Sequence, residues 1–214
     1  MSRTSALRIE QPLSVEEYLA FERAADNKHE YDDGEIIAFA GASRQHNLVG
    51  GNTFRHLGNQ LEGRPCEVYM TEMLVRIATT KYVYPDVVVV CDEPEFADEE
   101  FDILLNPTVI IEVLSPTTES RDRGDKLQYY GALESVKDYL LVAQDRIRVD
   151  HYVKQSPSEW NLRVYTEAGD KIEIASIGCK LSVAAVYARV NFPPRRLLCP
   201  QLKSFNAGLH LTAN

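Results

Sequence analysis

The chain has 214 residues, 44% of them hydrophobic and 26% charged, with a formal net charge of -9. That supplies one well-covered core and leaves too little for a second full domain. A pI near 5.1 excludes the global basic field that draws a protein onto nucleic acid or an anionic membrane, so any phosphate site has to be local.

Residues 1–11 read as a mobile arm, residues 12–190 as a single domain and residues 191–214 as a C-terminal tail. In "PLSVEEYLAFERAA", Ser14 with Glu17 three places on forms a capping box and starts the first helix. "HEYDDGEIIAFAGAS" turns at Asp33-Gly34 into a short strand, Glu35 to Ala40. "RQHNLVGGNTFRHLGNQLE" places Leu48, Phe54, Leu57 and Leu61 at helical spacing. Strand candidates follow in "CEVYMTEMLVRI", "VYPDVVVVCD" and "TVIIEVLS". The last two are apolar on both alternating faces, the pattern of central strands covered on both sides. Between them the seven acids from Asp92 to Asp102 read as a solvated loop, since their spacing does not fit an EF-hand.

A helix is expected from about Thr118, with Leu127, Tyr130 and Leu133 inward, followed by the strand "DYLLVA". Residues 146–177 alternate and are broken by turn residues, so they form a β-meander that extends the sheet. A short helix near Ser182 to Tyr187 ends the domain. This order describes a mixed α/β (α+β) sandwich, and the absence of G-x-G-x-x-G and P-loop patterns excludes the common nucleotide-binding folds.

Cys66, Cys91, Cys179 and Cys199 are widely spaced, without a C-x-x-C pair or zinc spacing, and are expected to be reduced thiols. No stretch approaches the roughly 20 apolar residues of a membrane span, so the expectation is a cytoplasmic chain with no membrane partner.

The anomaly lies in the strands. Glu112 shares a face of "VIIEVLS" with Ile110 and Leu114. An ionised carboxylate left there alone costs several kcal/mol, so it must be paired, protonated or bound to a metal. The preceding strand repeats the pattern with Asp86, after Pro85 at the head of a four-valine run. Two such acids projecting into one cleft make the hard-oxygen pocket that Mg²⁺ or Mn²⁺ prefers. Lys126, two turns into the following helix, can reach back to Glu112. Two carboxylates and an ammonium suit phosphodiester hydrolysis. Each residue also has a plainer reading. Glu112 can pair with Arg76, Arg121 or Arg123, Asp86 can begin an edge strand, and Lys126 can pair with Asp122 at i-4 on an exposed face.

Together "YPDVVVV", "TVIIEVLSPTT", "DKLQYYGALESVKDYLLVA" and "HEYDDGEIIAFAGASRQHNLV" resemble the Uma-two family, restriction-endonuclease-like bacterial proteins of the PD-(D/E)xK phosphodiesterase superfamily, from about Leu13 to Tyr187. The resemblance implies a restriction-endonuclease-like mixed sheet flanked by helices, with Asp86 and Glu112 as metal ligands. The superfamily lysine normally stands two residues beyond the glutamate, where this chain has Leu114; the resemblance places its substitute at Lys126. The block "HEYDDGE" implies Glu30 as a further ligand or water-orienting base, with Glu35 as runner-up. His46 also matches a family position, as a phosphate or metal contact or as a helix cap.

Two functions are therefore expected to compete. One is a Mg²⁺-dependent (or Mn²⁺-dependent) endonuclease acting on nucleic acid, DNA first, with Arg44, Arg55, Arg121, Arg123 and Lys126 as a local basic patch. The other is a noncatalytic binding or regulatory protein that retains the fold. A homodimer is expected for either, formed by meander strands pairing across a twofold axis.

Overall fold

The structure is a computed structural model that describes residues 12–38, 41–100 and 102–192. The expected arm at residues 1–11, the end of the strand expected to reach Ala40, Cys199 and nearly all of the tail lie outside these residues. In chain order the elements are α1 (Val15–Ala24), β1 (His29–Asp32), β2 (Glu35–Ala38), α2 (Arg44–Leu61), β3 (Cys66–Met70), β4 (Leu74–Ala78), β5 (Lys81–Val83), β6 (Val87–Cys91), β7 (Ile103–Leu104), β8 (Val109–Leu114), α3 (Glu119–Arg123), α4 (Asp125–Ala132), β9 (Asp138–Ala143), β10 (Val149–Ser156), β11 (Glu159–Tyr165), β12 (Lys171–Ile174), β13 (Cys179–Ser182) and α5 (Val183–Val186).

A six-stranded sheet in the order β11-β10-β9-β8-β6-β3 forms the centre, and β2-β1-β5-β4-β7 forms a second sheet. Of the six strands only β8 and β9 run parallel; β10 and β11 extend the sheet beyond β9 as the expected meander, but β12, expected to continue it, pairs with β13 in a separate two-stranded sheet. Every residue of β8 and β9 is buried, as their unbroken apolar runs require of strands covered on both faces. Val109, Ile111 and Val113 face a core with Val49, Leu57 and Leu61 of α2 and Val183 of α5. Ile110 and Leu114 face the other way, toward Tyr130 of α4 and Val75 of β4. Glu112 belongs to this second face.

The capping box at Ser14 is formed. Its hydroxyl accepts from the Glu17 N–H at 3.2 Å and the Glu17 carboxylate accepts from the Ser14 N–H at 2.8 Å. α1 then lays Tyr18 on Tyr31 of β1 with ring centroids 4.7 Å apart. Asp33 and Gly34 turn the β1–β2 hairpin with φ of 50° and 102°, the primed geometry that an Asp-Gly pair supplies.

Several expectations change. "CEVYMTEMLVRI" is two strands, β3 and β4, in different sheets, because the chain turns at Thr71-Glu72. The helix expected from Thr118 is broken at Gly124, whose ψ of -96° is not helical. Cys66 and Cys91 are not reduced thiols but a disulfide, because the register of β3 and β6 places them directly opposite each other; Cys179 stays a buried thiol. The acid run is exposed as expected from Asp92 to Glu100, and Arg23 bridges Asp98 and the half-buried Asp102. No described helix is long and apolar enough to cross a membrane.

Gly131 seats the meander against α4. A Cβ there would lie 2.8 Å from the Pro157 carbonyl oxygen and 3.3 Å from the Trp160 ring nitrogen. Gly131→Ala is therefore expected to cost about 1–3 kcal/mol, read as a lower urea midpoint at unchanged slope.

Candidate active site

β6 and β8 pair antiparallel with Val87 opposite Ile111. Continued one pair outward, that register sets Asp86 beside Glu112 at one end of the two strands. Glu30 comes from β1 in the other sheet, and Lys126 comes from the first turn of α4. Asp86, Glu112, Glu30 and Lys126 line one cavity of about 600 Å³, together with His46, Tyr84, Arg121 and Asp122. The four residues expected to act together thus meet although they come from separate elements and two sheets.

Lys126 is the hub. Its Nζ lies 2.9 Å from Glu112 Oε1, 3.2 Å from Glu30 Oε1 and 3.4 Å from Asp122 Oδ1. It does pair with Asp122 at i-4, as the plainer reading held, but both are buried and the lysine faces the strands. Arg76 and Arg123 take no part at Glu112; Arg123 binds Glu119 and Asp150 instead. Arg121 binds Glu30 and, at 3.5 Å, Asp32.

Glu112 is 4% exposed, and that burial, with Asp122, Asp86 and Glu30 nearby, raises its carboxyl to about 8 despite the opposing pull of Lys126. Burial likewise raises Asp122. Burial works to lower Lys126, but Glu112, Glu30 and Asp122 overcome it and hold the ammonium well above its ordinary value. Buried acids outnumber fixed cations here: Glu30, Asp86, Glu112 and Asp122 are all buried, against Lys126 and Arg121.

Asp86 is held at both oxygens. Oδ2 accepts from the Val113 N–H at 2.7 Å, and Oδ1 lies 2.8 Å from His46 Nε2. His46 sits in the first turn of α2, but the cap is Ser43, whose hydroxyl accepts from the His46 N–H at 3.0 Å. The imidazole is thereby free to orient Asp86. Glu35 is exposed at the start of β2, opposite Asp32, and does not line the cavity.

Sequence reasoning missed two contributors. Tyr130, read as core, is fully buried and also donates its hydroxyl to Glu112 Oε1 at 3.1 Å. Asp122, considered only as an exposed partner of Lys126, is 2% exposed. The spacing of Asp122, Lys126 and Tyr130, each four residues after the last, was the available signal, because on the single helix the sequence predicts it puts them on one side.

A divalent cation fits this donor set. Asp86 and Glu112 offer hard carboxylate oxygens from adjacent strands, and the buried acids outnumber their cations. Among the described residues no three His, Cys, Asp or Glu side chains already converge on one point.

Comparison with known proteins bears on the fold and the family. A crystal structure titled as a putative nuclease belonging to DUF820, from Anabaena variabilis ATCC 29413, superposes with a TM-score of 0.66 at 18% identity, covering 82% of this chain and 98% of that one. The fold is therefore shared. Two Synechocystis sp. (strain ATCC 27184 / PCC 6803 / Kazusa) proteins, named uncharacterized protein slr1290 and uncharacterized protein sll1609, are each 36% identical. They match over 181 and 164 residues, or 84% and 76% of this chain, and 94% and 93% of their own lengths. The Uma2 family, described as "Putative restriction endonuclease", matches residues 15–185. With its mixed α+β architecture and its buried acids and lysine gathered in one cavity, the chain belongs to the Uma2 family.

Proposed function

We propose that the protein is a metal-dependent endonuclease that hydrolyses phosphodiester bonds, with DNA as its substrate and Mg²⁺ or Mn²⁺ as its cofactor. The observation that carries this reading is the convergence of Lys126, Glu112 and Glu30 within 3.2 Å, beside Asp86 on the neighbouring strand. Asp86 and Glu112 would hold the ion, which would supply the positive charge that polarises a phosphodiester and favours ionisation of an attacking water.

The chain's own groups do the rest. The Val113 N–H and His46 fix Asp86, and the Tyr130 hydroxyl fixes Glu112. Once Glu112 is engaged elsewhere, Lys126 keeps Glu30 and Asp122 as partners, so its ammonium stays in place to orient the water and offset charge developing at phosphorus. Glu30, anchored by Arg121 and by the Tyr84 N–H at 3.4 Å, is the acid placed to orient the water.

Cleavage of supercoiled plasmid, single-stranded DNA and RNA in Mg²⁺ or Mn²⁺ tests the proposal. Wild type is expected to cut at least one of the DNA substrates, with Asp86→Asn and Lys126→Ala slowed about 100-fold or more. No cleavage by wild type, or equal cleavage by all three proteins, would overturn it. The second reading, a noncatalytic binding module, draws on the net charge of -9 and on the cations already committed to acids in the cavity. Of the expected basic patch, only Arg44 and Arg55 are exposed. Calorimetry that finds no heat of Mn²⁺ binding, and no difference for Asp86→Asn, would favour this second reading.

A further inference from the structure

Among the described residues the exposed large hydrophobic side chains are Phe21, Leu162 and Val164. Two of these three lie on β11, the outermost strand of the six-stranded sheet. Side chains alternate, so Leu162 and Val164 share a face with Trp160, whose ring packs beside Gly131 of α4. The other face presents Glu159, Asn161 and Arg163, all exposed, and neither Glu159 nor Arg163 forms an ion pair among the described residues. The outer edge of β11 pairs with no described strand. Nor does "EWNLRVY" carry proline or lysine, two of the devices that commonly blunt an exposed edge.

We propose that β11 is a self-association edge, on which two copies of the chain pair this strand antiparallel about a twofold axis at Asn161. The strand is self-complementary in that register. Glu159 of each copy faces Arg163 of the other, Trp160 faces Leu162, and Asn161 faces its own counterpart. Both unpaired charges are thereby satisfied twice, and the exposed apolar side chains of the two copies meet on one face of a continuous sheet. A register centred one residue away would set Arg163 against Asn161 and leave the charges only diagonally placed. The interface lies on the meander and does not depend on the proposed metal site or its chemistry.

Sedimentation velocity of the full chain from about 1 to 200 μM tests this. Wild type is expected to associate to a dimer within that range. Leu162→Lys should weaken association about tenfold or more, and Glu159→Lys and Arg163→Glu should each do the same by opposing like charges. The double variant carrying both reversals should recover to within about threefold of wild type, since the swapped pairs match again. These positions are exposed, so the variants are expected to fold, which circular dichroism checks. A wild-type monomer throughout, a dimer indifferent to Leu162→Lys, or single reversals that the double variant does not rescue would each overturn the proposal. A monomer whose β11 edge is covered by residues 193–214 would do so as well.

Discussion

Replacing Lys126 with methionine is expected to abolish cleavage while tightening Mn²⁺ binding about tenfold or more. The two effects have one cause. In the metal-free protein the lysine is the cation shared by Glu112, Glu30 and Asp122, so an incoming ion must compete with it for Glu112. Without the ammonium, the same acids face the ion with one more uncompensated negative charge. The metal-free variant should lose about 3–5 kcal/mol of stability, because removing one partner of a buried ion pair leaves its acids unpaired. Mn²⁺ should accordingly raise its Tm more than it raises that of wild type. Lys126→Arg keeps the charge and is expected to leave Mn²⁺ affinity within about threefold. Calorimetric titration of the three proteins checks this; a Met variant that binds Mn²⁺ more weakly than wild type would show that the lysine supports the ion instead of competing with it.

Glu112→Gln is expected to flatten the pH dependence of metal-free stability. The folded protein holds the Glu112 proton up to about 8, whereas the ordinary carboxyl value is 4.5. Between these values the folded state binds a proton that the unfolded chain has released. The stabilisation is therefore complete at about pH 4 and is lost as the pH rises through about 8. On the order of 5 kcal/mol is at stake in wild type, several degrees in Tm for a domain of this size, and the Gln variant has no such proton to lose. Saturating Mn²⁺ should reverse the wild-type trend, because the ion favours the ionised carboxylate. Thermal melts across about pH 5 to 8 with chelator and with Mn²⁺ measure both slopes. An unchanged slope in the Gln variant would assign the titration to another group.

The two-sided strands were legible because β6, β8 and β9 are continuous apolar runs, and burial on both faces is the physical requirement that such runs meet. Glu112 and Asp86 stood out against that background for the same reason. Strands β1 and β5 were not legible: each is short, at four and three residues, and their pairing is decided by partners distant in sequence. Glu30 accordingly entered through family resemblance, since nothing local marks "HEYD" as a site. The Cys66–Cys91 bond was missed because it depends on the register between β3 and β6, which cysteine spacing does not encode. Tyr130 was placed correctly in the core, but its hydroxyl needs an acceptor when buried, and asking which acceptor would have led to Glu112.

The most direct test is an anomalous difference map from crystals grown with Mn²⁺. The expected result is a peak coordinated by carboxylate oxygens of both Asp86 and Glu112, with Lys126 retaining Glu30 and Asp122. A map without a peak at saturating Mn²⁺, with Lys126 still bonded to Glu112, would contradict the metal site and with it the assignment of these acids to catalysis.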